Sequence, residues 1–150
     1  MASHVYDITY GSIEPHVDNL VVIDDSIVRG TTLRESVIRI LDRLHPKRIV
    51  IVSSAPQVRY PDFYGIDMSN MDDFIAFRAA VELLKDHKET ERIHNIYLRC
   101  KEQLLLPKEK QAEVVRTLYE GFSQEEISNK MAEMLRPEGV TCEIKMVYQT

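Results

Sequence analysis

Leu20-Val21-Val22-Ile23-Asp24-Asp25-Ser26-Ile27-Val28-Arg29-Gly30-Thr31-Thr32 runs from a continuous apolar stretch into two adjacent carboxylates, a hydroxyl, a glycine turn and two threonines. Four aliphatic residues without alternation read as a strand buried on both faces of a parallel sheet. Thr32-Leu33-Arg34-Glu35 then offers a capping box, with a hydroxyl at the N-cap and a carboxylate three residues on. Leu33, Val37, Ile40, Leu41 and Leu44 recur at helical spacing until His45-Pro46 stops them. Residues 48–54 form a second buried strand. Strand, helix and strand in about 35 residues make a βαβ unit with parallel strands and a right-handed crossover.

Beyond this unit the chain changes character. Residues 4–10 (HVYDITY) alternate in the manner of a strand and end at Gly11, and residues 11–19, with Pro15, read as a loop. Residues 55–69 carry Pro56, Pro61 and Gly65 and read as a long irregular connection. The remainder is mainly helical. Phe77, Ala80, Val81 and Leu84 form one apolar stripe, and Ile93, Ile96, Tyr97 and Cys100 another. Pro107 suits the first turn of a helix. Ser123-Gln124-Glu125-Glu126 is a second capping box, opening a helix with Ile127, Met131, Met134 and Leu135 that ends near Pro137 and Gly139. Residues 141–149 close the chain as an alternating strand.

Composition bounds the function. The 150 residues carry 24 acids against 19 bases, a net charge of −5, with 44% hydrophobic and 29% charged residues. These are the proportions of an ordinary soluble domain. The charge divides into −4 for residues 1–75 (7 bases, 11 acids) and −1 for residues 76–150 (12 bases, 13 acids). Neither half supplies the basic field that nucleic-acid phosphates require, so no nucleic-acid partner is expected. The longest aliphatic runs have four residues, against the roughly 20 needed for a membrane span, and no secretory pattern opens the chain. Cys100 and Cys142 lack metal-ligand or disulfide-framework spacing and read as reduced thiols of a cytoplasmic protein.

The chemistry lies where the first strand meets the helix. Open α/β sheets bind ligands at the carboxyl edge of their strands. Amides and hydroxyls of residues 26–32 converge there at a helix start, where the dipole adds only about 0.3–1 kcal/mol for an anion. Charge-assisted hydrogen bonds of about 1.5–3 kcal/mol each would dominate. Carboxylates repel phosphate, so Asp24 and Asp25 must face something else: ribose hydroxyls, a bound Mg²⁺, or both. A sugar phosphate satisfies both halves. Strand-terminal paired aspartates also hold Mg²⁺ in response regulators, but no later strand here offers a clear aspartate acceptor. A plain N-cap accounts for Thr32 and Glu35 but not for the acid pair. A Walker-type loop is excluded by the absence of Gly-Lys-Ser/Thr.

Residues 22–32 resemble the phosphoribosyl pyrophosphate (PRPP) motif of type I phosphoribosyltransferases. Asp24-Asp25-Ser26-Ile27-Val28-Arg29-Gly30-Thr31-Thr32 is similar to the form found in amidophosphoribosyltransferases. Six of these positions fixed at ~5% each give chance odds on the order of 10⁻⁸ per position. Ser53-Ser54-Ala55-Pro56, Arg59-Tyr60-Pro61 and Phe63-Tyr64-Gly65-Ile66-Asp67-Met68 extend the resemblance, which covers about residues 21–76.

The resemblance implies an α/β fold with a Rossmann-like parallel sheet of type I phosphoribosyltransferase character, incomplete here, with a mainly helical C-terminal insertion. Residues 20–76 would be the PRPP-binding core, 77–138 the helical region and 141–149 the closing strand. It implies a glycosyltransferase of purine synthesis in which glutamine-derived ammonia displaces pyrophosphate from PRPP. Asp24 and Asp25 would hold the ribose hydroxyls and Mg²⁺. Ser26, Val28, Arg29, Gly30, Thr31 and Thr32 would hold the 5′-phosphate, Arg29 being equally open to a solvent role. No side chain is expected to act as a catalytic acid or base. A glutaminase domain would be the partner, within a homo-oligomer.

Departures from the pattern qualify this. The glutaminase nucleophile is an N-terminal cysteine, and Met1-Ala2-Ser3 supplies none. Twenty residues ahead of the motif leave no room for the pyrophosphate loop, so the chain is expected to be part of a longer enzyme and inactive alone. Asp62 stands where some relatives place a cluster-binding cysteine, so no iron–sulfur cluster is expected. The alternatives are a non-catalytic PRPP-sensing module and a type I phosphoribosyltransferase acting on a free base.

Overall fold

Three six-residue strands carry the site: β1 (Asn19–Asp24), β2 (Arg48–Ser53) and β3 (Glu143–Tyr148). The computed structural model describes residues 11–61 and 70–149. The expected strand at residues 4–10, Asp62 and the block at residues 63–68 lie outside the described residues. The sheet order is β1-β2-β3, with both pairings parallel. The register sets Asp24 beside Ser53 and Ser53 beside Tyr148, so these three residues share the carboxyl edge.

Between β1 and β2 the backbone is helical over residues 31–42 without a break. It opens as a π-turn (Leu33–Val37) and continues as α1 (Ile38–Asp42). The Ile38 amide donates to Leu33 O, five residues back. That one-residue excess moves the inward position after Leu33 from Val37 to Ile38, which is fully buried while Val37 is only partly so. The α-helical stripe expected over this segment is corrected accordingly. After α1 a turn leads to His45, which sits in the left-handed region at φ +54° just before Pro46. Pro46 cannot continue the helix.

The expected Thr32 capping box does not form. Thr32 already has helical backbone angles (φ −62°, ψ −41°) and its side chain makes no capping bond. The Arg34 amide donates to Gly30 O, which starts the helix at Thr31, two residues earlier than a Thr32 cap requires. The second capping box forms as read: Ser123 Oγ accepts from the Glu126 amide, and the Glu126 carboxylate accepts from the Ser123 amide.

The C-terminal half is helical, with α2 (Ile75–Asp86), α3 (Thr90–Leu104) and α4 (Gln124–Leu135), and 3₁₀ turns between α3 and α4. Pro107 heads one of those turns (Lys108–Lys110), not a longer helix. Tyr97, read as core, is 53% exposed on α3. Helix α4 packs on both α2 and β3.

One core joins Leu20 and Val22 of β1, Ile49 and Ile51 of β2 and Met146 and Tyr148 of β3 to the helices. The other face of the sheet remains open among the described residues: Val21 is 61% exposed, Ile23 76% and Val147 39%. The expectation of a β1 buried on both faces is therefore corrected. Strand order follows chain order, so crossovers of the usual hand step the same way each time and lay their helices on one face. No helix among the described residues is long and apolar enough to cross a membrane.

Candidate functional site

β1 delivers Asp24 to the carboxyl edge, and with residues 26–33 it lines an open cavity of about 340 Å³. Its walls include Asp24, Ser26, Val28, Arg29, Gly30, Thr31 and Thr32, seven of the eight residues expected to bind ligand. Asp25 is the exception. Its exposed carboxylate accepts from the amide of Ser26 at 2.7 Å and does not line the cavity. Thr31 and Thr32 are exposed, and Thr32, relieved of a capping duty, brings its side chain to the cavity wall.

The loop is held from below. Ile27 is buried, and Val28 O accepts from the Ile75 amide at 2.8 Å, tying the loop to the start of α2. Arg29 Nη2 donates to Asp73 Oδ2 at 3.1 Å, so the guanidinium lines the cavity with its charge already paired. Gly30 sits at φ +70°, and a Cβ there would lie 2.5 Å from Leu135 Cδ2 of α4. Two constraints therefore require glycine: the left-handed backbone and the close approach of a neighbouring helix.

The acids have their own support. The Ser54 amide donates to Asp24 O at 2.9 Å, the Ala55 amide to Asp25 O at 3.1 Å, and Ser54 Oγ to Asp25 O at 3.2 Å. The segment after β2 thus grips the backbone of both aspartates. Burial raises the Asp24 pKa above its usual value, and the neighbouring Asp25 carboxyl raises it further. Two carboxyls this close hold excess negative potential, which a cation or ribose hydroxyl donors relieve. No group of three or more His, Cys, Asp or Glu side chains among the described residues could hold a metal ion. Asp24 and Asp25 alone make an incomplete cation site, so any cation held there would need its remaining ligands from outside this pair.

Larger cavities, among them two of about 570 and 650 Å³, lie elsewhere. The first, between α2 and α4, is lined by Lys85 and Glu82, which pair with each other, and by Lys130 and Glu133, which do likewise. The second, beside α3, contains the Arg92–Glu89 pair. Ion pairs thus occupy part of the lining of both, whereas the strand-edge cavity combines the Asp24 carboxyl with the hydroxyls of Ser26, Thr31 and Thr32.

Among known proteins the likeness is to amidophosphoribosyltransferases. The chain is 44% identical to the enzyme of that name from Haemophilus influenzae over 64 residues, which is 43% of this chain and 12% of the relative. It is 39% identical to the Escherichia coli protein over 67 residues, 45% of this chain and 13% of that one. Against the Staphylococcus aureus protein identity is 35% over 69 residues, covering 46% and 14%. The match thus spans only about an eighth of the length of the curated relatives. No protein-family model matches the chain.

Sequence reasoning missed the residues that shape the site from a distance, namely Asp73, Ile75 and Leu135. Gly30, by contrast, was legible as a turn, though not as a packing requirement.

Proposed function

We propose that this chain supplies the ribose and 5′-phosphate half of a PRPP site belonging to an amidophosphoribosyltransferase. The observation that carries the reading is the shared cavity at the strand edge, which joins Asp24 to residues 26–32 within a chain similar to those enzymes. In this reading Ser26, Thr31 and Thr32 donate hydroxyl hydrogen bonds to the 5′-phosphate. Gly30 lets the backbone approach it closely. Asp24 accepts from the ribose hydroxyls, and Asp25 shares the Mg²⁺ that would neutralise the pyrophosphate as it departs. Ammonia from glutamine, freed in a glutaminase domain elsewhere in the parent enzyme, displaces pyrophosphate at the ribose carbon.

The chain's own contribution is positioning and charge placement, with no side chain transferring a proton. The parent enzyme would be a cytoplasmic homo-oligomer of purine synthesis, and the isolated chain would not turn over. Calorimetric titration with PRPP and Mg²⁺ tests the reading. Saturable binding that Asp24→Asn removes is expected; binding untouched by Asp24→Asn, or none at all, contradicts it.

A further inference from the structure

The segment after β2 grips the aspartates through backbone bonds, and it is itself gripped by a distant helix. Gln57 Nε2 donates to Gln124 O at 2.9 Å and to Ser128 Oγ at 2.7 Å, both in the first turns of α4. Ser128 is 5% exposed and its hydroxyl donates in turn to Gln124 O at 2.8 Å. Gln57 Oε1 accepts from Arg59 Nε and Nη2 at 3.1 and 2.9 Å, so the whole Gln57 amide is engaged. The same segment has a second tether, where Tyr119 Oη donates to Arg59 O at 2.7 Å. Between Gln57 and the aspartates lie only Pro56, Ala55 and Ser54, the last two being the residues that hold Asp24 O and Asp25 O. Ser53 Oγ, donating to Ala55 O at 2.9 Å, stiffens that link.

We propose that Gln57 is a positioning residue for the Asp24 and Asp25 carboxylates, carrying the anchorage of α4 to the peptide that holds them. Its two acceptors lie on a helix whose other end presses Leu135 against Gly30. One rigid element thereby fixes both halves of the cavity, the phosphate loop by packing and the acid pair by hydrogen bonds. Gln57 and Ser128 are 71 residues apart, more than the 64–69 residues over which the relatives match. The bracing therefore joins parts of the chain that none of the three matches described above spans. An amide suits this task better than a charged side chain, because it can donate twice and accept twice at a part-buried position without a desolvated charge.

The role of the acids rests on the PRPP reading above, but the mechanical claim does not, and the test separates them. Site-resolved amide hydrogen exchange on the 150-residue chain compares wild type with Gln57→Ala and with the gentler Ser128→Ala, which keeps one acceptor. Exchange at Ser54 and Ala55 should accelerate by about tenfold in Gln57→Ala and less in Ser128→Ala, the scale of one ordinary hydrogen bond. Exchange at Ile51, in the interior of β2, should stay unchanged. Unaltered exchange at Ser54 and Ala55, or acceleration shared equally with Ile51, overturns the proposal. Ligand affinity gives the second readout. Gln57→Ala should weaken PRPP with Mg²⁺ by about threefold to tenfold and leave inorganic phosphate within about twofold, since the phosphate loop keeps its own supports. Equal loss of both ligands overturns a positioning role. Failure of the wild-type chain to bind PRPP refutes the functional reading, while the exchange experiment still decides the bracing.

Discussion

Replacing Gly30 by alanine tests how tightly the phosphate loop is specified. The residue sits at φ +70°, where an L side chain costs about 1–2 kcal/mol. The new methyl would stand 2.5 Å from Leu135 Cδ2 and 3.4 Å from Ile75 Cδ1. Leu135 is only 1% exposed, so its methyl cannot swing into solvent. Overpacking of this kind costs about 1–3 kcal/mol. The stiffer unfolded chain returns about 0.4–1 kcal/mol, leaving a net loss of about 1–4.5 kcal/mol. Urea unfolding of Gly30→Ala, Leu135→Ala and the double variant separates the contributions. Leu135→Ala alone should cost about 2–5 kcal/mol as a cavity. In the double variant the methyl has room, so the losses should fall short of additivity by about 1–3 kcal/mol. A Gly30→Ala variant within about 0.5 kcal/mol of wild type would refute the steric reasoning, and strict additivity would refute the contact with Leu135.

The fold sets two other outcomes. Ile51→Ala, fully buried in β2, should lose about 2–5 kcal/mol in urea unfolding, whereas Ile23→Ala, 76% exposed on the open face, should stay within about 0.5 kcal/mol. Equal losses would mean that the open face is covered in solution. At the α4 cap, the hydrogen bonds from the Ser123 amide and hydroxyl hold the Glu126 carboxyl below its usual 4.5. A lowered folded pKa stabilises the fold above the unfolded value and loses that contribution as pH falls through the folded value. Thermal melts of Glu126→Gln should therefore lie below wild type at pH 7 and converge with it as pH drops below about 4.5. A gap independent of pH would contradict the capping box as its source.

The site proved more legible in the sequence than its surroundings. Asp24 and residues 26–32 are contiguous, so the strand, turn and helix start that bring them together are written in neighbouring residues. The Ser123 and Glu126 box was legible for the same reason. The π-turn was not, because Leu33, Val37 and Leu41 satisfy an α-helical stripe equally well, and only packing selects Ile38. The apolar run of β1 looks the same whether one face or two are covered; strand order decides that, and strand order is a long-range property. Gln57 carried no local signal of its bracing, since its partners on α4, Gln124 and Ser128, lie 67 and 71 residues away.

The central claim, that Asp24 and residues 26–32 bind PRPP as one site, is tested most directly by nuclear magnetic resonance. Backbone amide shifts of the ¹⁵N-labelled chain would be monitored during titration with PRPP and Mg²⁺. Saturable shifts concentrated at residues 24–32, with smaller ones at Ser54 and Ala55, are the predicted result. Shifts centred on the cavity between α2 and α4, or none at saturating ligand, would contradict it.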